Sequence, residues 1–474
     1  MKKICIVGGG TAGLVTALIL KSRFSSLQID IVKSDKIGII GVGEGSTEHW
    51  KEFADFVGIT TKELITETDA THKGGIMFED WTKKPYFHNI ISSINDIKFA
   101  QYQAGYAYTI INNLKSKEYT NKDNWNNKVK HNDLPNQFHF NTFKLNNFLL
   151  KKCKEKDINI YEDEIVKVNI KKSNIESIES KSKKYKHDFY VDSTGFKRLL
   201  ISKLGAKWKS YSKYLPMNEA IAFPTKDTKE YTPYTLAKAM SSGWLWRIPT
   251  QGRWGNGYVF NNKYINAEQA KKECEKYLGH KIEIGKNIKF EAGTLEKVWI
   301  GNCVATGLSS SFIEPLEASS IGTSIQQAFM LIHLIINYKE TDIELYNTRF
   351  KCIVENIRDF VLIHYLTNKK DSRFWREFKP NLSLSLKINL EKWKHRLPIK
   401  EDFPGGYHLF SENNFAILLK ELNLVDKKSI KKEYNSLSKD FIDYTEQKIR
   451  DYNNFYSDTN TLGHKQFLQL FYYK

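Results

Sequence analysis

The residues whose type and spacing most directly allow chemistry are the glycines Gly8, Gly10 and Gly13, in the opening stretch MKKICIVGGGTAG. With Gly9, Thr11 and Ala12 they form a G-x-G-x-x-G turn between the apolar run Ile4–Val7 and a helical stretch, Leu14–Lys21. The three glycines permit, in turn, a tight bend, backbone approach to a pyrophosphate, and close packing of helix on strand. The N–H groups that start the helix would then hold phosphate oxygens. A second strand-like run, Gln28–Val32, follows at the spacing of a βαβ unit, so the stretch reads as a dinucleotide site. An acid is expected at the end of that second strand for the ribose hydroxyls. The chain has Lys33, Ser34 and Asp35 there. Ser34 could bond the ribose and Lys33 could meet a phosphate, which predicts a modest cofactor affinity.

The elements around this turn must make the rest of the unit. At 474 residues, 41% hydrophobic and 27% charged, the chain is globular in composition and long enough for two or three domain-sized parts. No apolar run approaches the roughly 20 residues of a membrane span, and the N-terminal strand is not a signal peptide. Five scattered cysteines without C-x-x-C spacing predict reduced core thiols, no metal site and a cytoplasmic location. The net charge of +18 is spread along the chain as lysine on solvated faces, with no basic helix that would suit nucleic acid.

Strands are expected at Ile158–Ile170, Asn174–Lys181, Tyr185–Gly195, Ser241–Pro249 and Trp299–Leu308. Helices are expected at Glu48–Val57, Asn141–Lys154, Ala267–Leu278, Ile321–Asn337, Tyr346–His364, Ser383–Trp393, Asn413–Leu422 and Asp426–Asn453. Residues 112–136 are polar and aperiodic and read as a long excursion. In Thr71–Trp81 a lysine, Lys73, stands beside two glycines; taken alone it reads as a solvated loop residue.

Three stretches together carry a resemblance. GGGTAG, Gly243-Trp-Leu-Trp-Arg-Ile-Pro249 and Phe312-Ile-Glu-Pro-Leu-Glu317 are similar to motifs of the flavin-dependent halogenases, the tryptophan halogenase family, whose signature is W-x-W-x-I-P. The loop GVGEGS, the stretch around Lys73 and Ile357–Trp375 also resemble that family. The resemblance implies an α/β fold: a flavin-monooxygenase-like, FAD-binding Rossmann domain interleaved with a β-rich segment, plus a mostly helical C-terminal substrate-binding part. The boundaries expected are 1–110, 138–205 and 291–344 for the FAD unit, 111–137 for the excursion, 206–290 for the β-rich insert and 345–474 for the helical part.

It further implies an FADH2-dependent halogenase. Reduced FAD and O2 give a flavin hydroperoxide, halide attacks it, and the hypohalous acid formed crosses an internal passage to a lysine beside a small aromatic substrate. Lys73 matches the catalytic lysine. An ammonium there would hydrogen-bond the oxidant and a neutral amine would form a haloamine, and both forms stay open. Glu317 matches the catalytic glutamate, which orients the oxidant and takes a proton from the ring. At a helix start an acid is also favoured by the dipole alone. Gly8, Gly9, Gly10, Thr11, Ala12, Gly13, Ser34, Glu44, Leu308 and Ile321 fall at FAD contacts, and Ser319 and Ser320 at the halide position. Trp244 and Trp246 fall where the family shields the flavin, and core packing alone would also explain them. His88 matches a substrate-pocket histidine.

The chain departs from the family pattern PLEST-G with PLEASS, so Ala318 lacks a hydroxyl and Ser320 replaces a glycine at the halide turn. This predicts a preference for bromide or iodide, which are less hydrated and easier to oxidise than chloride. Ile90 stands where a tryptophan-binding member has an aromatic, and no carboxylate or amine site for free tryptophan is evident. A separate NAD(P)H-dependent flavin reductase is the expected partner, nucleic acid and membrane are not, and a homo-oligomer is left open. The alternatives are a flavin-dependent aromatic hydroxylase, which needs no Lys73–Glu317 pair, and a non-catalytic flavin-binding protein.

Overall fold

The computed structural model describes residues 1–39, 44–89, 103–114, 136–406, 408–455 and 462–473. Ile90 and most of the polar excursion lie outside the described residues. At the centre is a six-stranded sheet in the order Trp299–Ile300, Cys303–Ala305, Phe189–Asp192, Lys3–Val7, Gln28–Lys33, Asn159–Glu162. Its neighbours are parallel except for the hairpin at the first edge. Ile4, Cys5, Ile6, Ile29, Ile31 and Val191 are wholly buried, as continuous apolar strands covered on both faces must be. The helices Thr11–Arg23, Thr142–Glu155 and Ser319–Leu334 pack together beside this sheet, with Thr11–Arg23 against the strands Lys3–Val7 and Gln28–Lys33. Three stretches far apart in sequence thus build one cofactor-type unit.

Several elements are shorter than the sequence pattern predicts. Trp299–Leu308 is a hairpin, not one strand, because Gly301 turns with φ +53°, and the Asn302 side-chain amide, donating to the Ile175 and Asp188 carbonyls, pins the turn. Ile158–Ile170 splits between two sheets: Asn159–Glu162 joins the central one, and Lys167–Lys171 starts a separate antiparallel sheet with Asn174–Glu179 and Lys184–Tyr185. Asp426–Asn453 is two helices, Lys427–Tyr434 and Lys439–Phe455, separated by a turn rich in Asn and Ser, which favour turns over helix interiors.

A second sheet has seven strands: Lys286–Lys289, Glu219–Lys226, Arg253–Phe260, Gly243–Thr250, Thr235–Met240, Gly75–Glu79 and Tyr86–Asn89. Its last two strands come from the first segment of the chain. Alternation on Gly243–Thr250 puts Trp244 and Trp246 on one face, with ring centres 6.1 Å apart. Gly257 is required opposite them, since a Cβ there would stand 2.0 Å from the Trp246 ring.

A further small sheet, Glu44–Gly45, Gln137–Phe140 and Thr71–Lys73, carries Lys73. Helix Glu340–His364 runs in from the C-terminal part and ends with His364 in the interior. The helix His464–Tyr473 returns to the lysine strand, where the His72 N–H donates to His464 Nε2 at 3.2 Å. Among the described residues no helix is long and apolar enough to cross a membrane. The five cysteines are free thiols, four of them buried.

Candidate active site

The glycine turn has the shape its spacing predicts. Gly8 has φ +115°, and a Cβ there would stand 2.1 Å from the Ser193 carbonyl oxygen. A Cβ on Gly13 would stand 2.3 Å from the Gly8 carbonyl oxygen. Both sites are closed to any side chain. Gly10 caps the helix that begins at Thr11, and open space lies beside it, so the first helical N–H groups can be approached from outside.

The turn Gly307–Ser309, which holds Leu308, leans on this helix: a Cβ on Gly307 would stand 2.5 Å from Ala12 Cβ. Asp192 ties the segment 194–201 to that turn. Its carboxylate accepts from the N–H and hydroxyl of Thr194, the N–H groups of Leu200 and Ile201, and the Ser309 hydroxyl at 3.1 Å.

Lys33 does not offer a free ammonium to a phosphate. It is paired with Asp35 and with Glu162, the latter at 2.9 Å. Acids do stand at the end of the second strand, since parallel register sets Glu162 of the neighbouring strand directly opposite Lys33. Ser34 is half-buried beside them, and the Glu44 backbone pairs with Phe140.

The helix Ser319–Leu334 starts at a turn made by Ala318, whose φ of +52° is left-handed. Ser319 and Ile321 are buried and Ser320 is exposed. A small pocket lies at this helix start, lined by Gly307, Ser311, Ile313, Ser319, Ser320 and Thr323. An unsatisfied helix N-terminus facing a pocket suits an anion.

Lys73 is not a solvated loop residue; it is 1% exposed. Its strand pairs with Gln137–Phe140, which places the side chain inside. The ammonium donates to the Ser46 carbonyl at 2.8 Å and lies beside Gly45, whose missing side chain leaves room between Lys73 and Ala318. Burial pushes its pKa down to about 8, although the charge on Glu317 resists the shift. No carboxylate among the described residues comes within salt-bridge distance of Lys73, so it keeps donors to spare.

Glu317 is 2% exposed, at the end of the turn Pro315–Glu317. Burial alone would raise its pKa, but His88 and His364 outweigh burial and hold it at about 2. His88 Nδ1 lies 2.9 and 3.0 Å from the two carboxylate oxygens, and its Nε2 accepts from the Asn414 amide at 3.1 Å. With Asn414 as donor, the ring proton sits on Nδ1 and points at Glu317. His364 Nε2 stands 2.8 Å from Oε1, close but poorly aligned for a hydrogen bond, and its Nδ1 meets the Tyr86 hydroxyl at 2.9 Å. Phe78 stacks on His364 with centres 4.4 Å apart.

His88 therefore presents neither nitrogen to a substrate pocket; both are bonded within the protein. Sequence reasoning misses His364, Tyr86 and Asn414. One signal is available: Tyr86 and His88 are two apart on a strand, hence on one face, and both reach the Glu317 cluster.

The family model described as tryptophan halogenase matches residues 3–434. Tryptophan 6-halogenase SttH of Streptomyces toxytricini is 28% identical over 470 residues, covering 88% of each chain. Its solved structure superposes with a TM-score of 0.80 at 26% identity, over 99% of both chains. A tryptophan halogenase from Shewanella frigidimarina NCIMB 400 shares the fold more closely, with a TM-score of 0.88 at 22% identity over 99% of this chain and 97% of that one.

Proposed function

Because the chain belongs to the tryptophan halogenase family, whose members are flavin-dependent halogenases, we propose that it uses FADH2, O2 and a halide ion to halogenate a small aromatic ring, with Lys73 and Glu317 at the reacting atoms. The observation that carries this reading is a buried lysine within electrostatic reach of a buried carboxylate that two imidazoles keep ionised. A structural ion pair would join the two groups; here they stand apart, each with bonding capacity left.

The glycine cradle fits FAD. Gly8 and Gly13 let the turn close against Ser193 where a side chain would clash, the helix start beside Gly10 is open, and the Leu308 turn closes on Ala12. When bound, the reduced flavin with oxygen supplies the oxidising equivalent that converts halide to hypohalous acid. Residues Gly8, Gly9, Gly10, Thr11, Ala12, Gly13, Ser34, Glu44, Leu308 and Ile321 would hold the cofactor. The N–H groups of Ser319 and Ser320 would hold the halide. Trp244 and Trp246 would keep substrate from the flavin.

With a pKa of about 8, Lys73 is mainly an ammonium at neutral pH and serves as a hydrogen-bond donor to the oxidant's oxygen, which makes the halogen more electrophilic. Glu317 faces the ring and takes the proton that the cationic ring intermediate releases. That intermediate is a strong acid, so a carboxylate with a pKa of about 2 is basic enough. His88 and His364 fix the carboxylate and leave it charged. Glu317→Gln removes the charge and slows halogenation without preventing FAD binding.

Ala318 at the halide turn has no hydroxyl to add to the anion's shell, which supports bromide or iodide over chloride. Competition between halides at equal concentration tests this, and chlorinated product in excess counts against it. The sequence carries one glycine-rich dinucleotide motif, which supports delivery of reduced flavin by a separate NAD(P)H-dependent reductase. The deciding experiment is mass spectrometry of phenols, indoles and pyrroles incubated with the protein, FAD, a flavin reductase and each halide. Halogenated product that disappears in Lys73→Ala is expected; no product from any pair rejects the reading.

A further inference from the structure

Lys73 stands where the chain leaves one sheet for another. Thr71–Lys73 pairs with Gln137–Phe140 in the small sheet, and Gly75–Glu79 pairs with Thr235–Met240 in the seven-stranded one. The backbone after the lysine is fixed by that second pairing and by the Gly74 N–H, which donates to the Pro233 carbonyl at 2.7 Å. The backbone before it is tied to the larger sheet through a buried cluster that the chemistry above does not use: His139, Thr71 and Thr235.

The hydrogen bonds of this cluster run in one direction. Thr71 donates its single hydroxyl proton to the Pro249 carbonyl at 2.7 Å, and a carbonyl has no proton to return. Toward His139 Nδ1, 3.1 Å away, Thr71 is therefore the acceptor, and the ring proton sits on Nδ1. Nε2 of the neutral ring is bare and accepts from the Thr235 hydroxyl at 2.9 Å. Burial, with Lys73 and His72 close by, holds His139 well below the ordinary histidine pKa, so the ring is neutral. Thr235, His139 and Thr71 thus donate in series, and the series ends on the strand Gly243–Thr250, which bears Trp244 and Trp246.

The same strand sets both the lysine and its acceptor. His139 is directly opposite Thr71, and Thr71 is two residues from Lys73, so the three side chains share one face of the small sheet. Next to His139, the Phe138 N–H donates to Ser46 Oγ at 2.9 Å and the Ser46 N–H to the Phe138 carbonyl at 2.8 Å. Ser46 is the residue whose carbonyl receives the ammonium. Apolar side chains in place of the cluster would bury as well but would let the two sheets slide, because apolar contact has no direction and a hydrogen bond weakens steeply when bent.

We propose that His139, with its proton on Nδ1, is a positioning residue for Lys73: through Thr71 and Thr235 it sets the distance between the lysine strand and the strand of the two tryptophans. The proposal rests on the halogenase reading above. His139 spends both nitrogens within the protein, so it acts through the placement of Lys73 and not on the reacting atoms.

Two measurements on the full chain test this. In the flavin-free protein with 15N-labelled histidine, the ring whose signals vanish in His139→Gln should show, at pH 7, a protonated Nδ1 and a bare Nε2. Thr71→Val should shift that Nδ1 signal, and Thr71→Ser should leave it in place. In turnover with FAD, a reductase, bromide and an indole, a soluble enol trap counts oxidant that escapes. Thr71→Val should lower halogenated product per trapped oxidant by about three- to ten-fold, the worth of one neutral hydrogen bond, with consumption of reduced flavin unaltered. Thr71→Ser, which keeps the hydroxyl, should restore the ratio to within about two-fold of the unaltered chain. Thr235→Val, which removes only the far bond, should give a smaller loss and serves if Thr71→Val does not fold. A purely structural role would lower the melting temperature and leave the ratio alone. A proton on Nε2, an unaltered ratio in Thr71→Val and Thr235→Val, or an equal loss in Thr71→Ser and Thr71→Val overturns the proposal. If the unaltered chain halogenates nothing, the reading of the reaction fails and this role with it; if it halogenates normally and the ratio does not move, only this role fails.

Discussion

Glu314 and Glu317 occupy one turn of backbone, both are out of water, and they end in opposite states. Two imidazoles hold Glu317 at about 2, whereas burial takes Glu314 to about 8, against only a weak pull from the Tyr365 phenol. Burial is common to both, so burial does not decide the charge; the partner does. The imidazoles beside Glu317 outweigh burial, and the phenol beside Glu314 does not. The pair gives one site an anion that can receive a proton and another a neutral acid that can donate, the kind of split by which enzymes assign acid and base roles.

The contrast can be broken at either end. The largest effect is expected from Lys73→Ala, which removes the cation within electrostatic reach of Glu317. Organic halogenation should fall by about 100-fold or more while reduced flavin is still consumed and oxidant is still trapped in solution; product quantified by mass spectrometry beside the trap checks this. Glu317→Gln should lower the halogenation rate about 10- to 100-fold with FAD binding, followed by flavin fluorescence, unaltered. An unchanged rate removes its role.

A smaller effect comes from pH. If the ammonium of Lys73 is the working form, coupled halogenation should drop to half its plateau near pH 8; a rise through that pH would favour the neutral amine.

The finest test is thermal stability. Glu317 has a lowered pKa, so its contribution is present above the unfolded carboxylate value, roughly 4.3, and is lost as pH falls toward 2. The deficit of Glu317→Gln should therefore shrink on acidification. Glu314 has a raised pKa, so its contribution is present below roughly 4.3 and is lost as pH rises toward 8. Glu314→Gln should match the unaltered chain in acid and exceed it increasingly up to pH 8. Melting curves at several pH values that show parallel rather than opposed trends would undo the comparison.

The cofactor unit is legible in the sequence because its signals are local. A glycine turn between strand and helix is contained in about 20 residues, and Gly8 and Gly13 sit as that spacing requires. The helices survive because their apolar periods are local too; the Ala267–Leu278 limits agree to the residue. The site is half legible. Lys73 and Glu317 come from the family likeness, whereas the local pattern puts Lys73 in solvent, since nothing near it in sequence says that Ser46, Gly45 and Ala318 close over it. His364 comes from the end of the helix Glu340–His364 and Asn414 from a helix 326 residues beyond His88, and such partners carry no periodicity to read. The acid opposite Lys33 escapes a linear reading for the same reason: strand register, not sequence distance, brings Glu162 there.

The contact between His72 and His464 spans 392 residues. During synthesis the strand that bears Lys73 is therefore laid down early and meets this neighbour only after 392 residues beyond His72 have been added. Until then the side of that strand which His464 closes stays open, so the surroundings of Lys73 are completed late rather than as the strand forms.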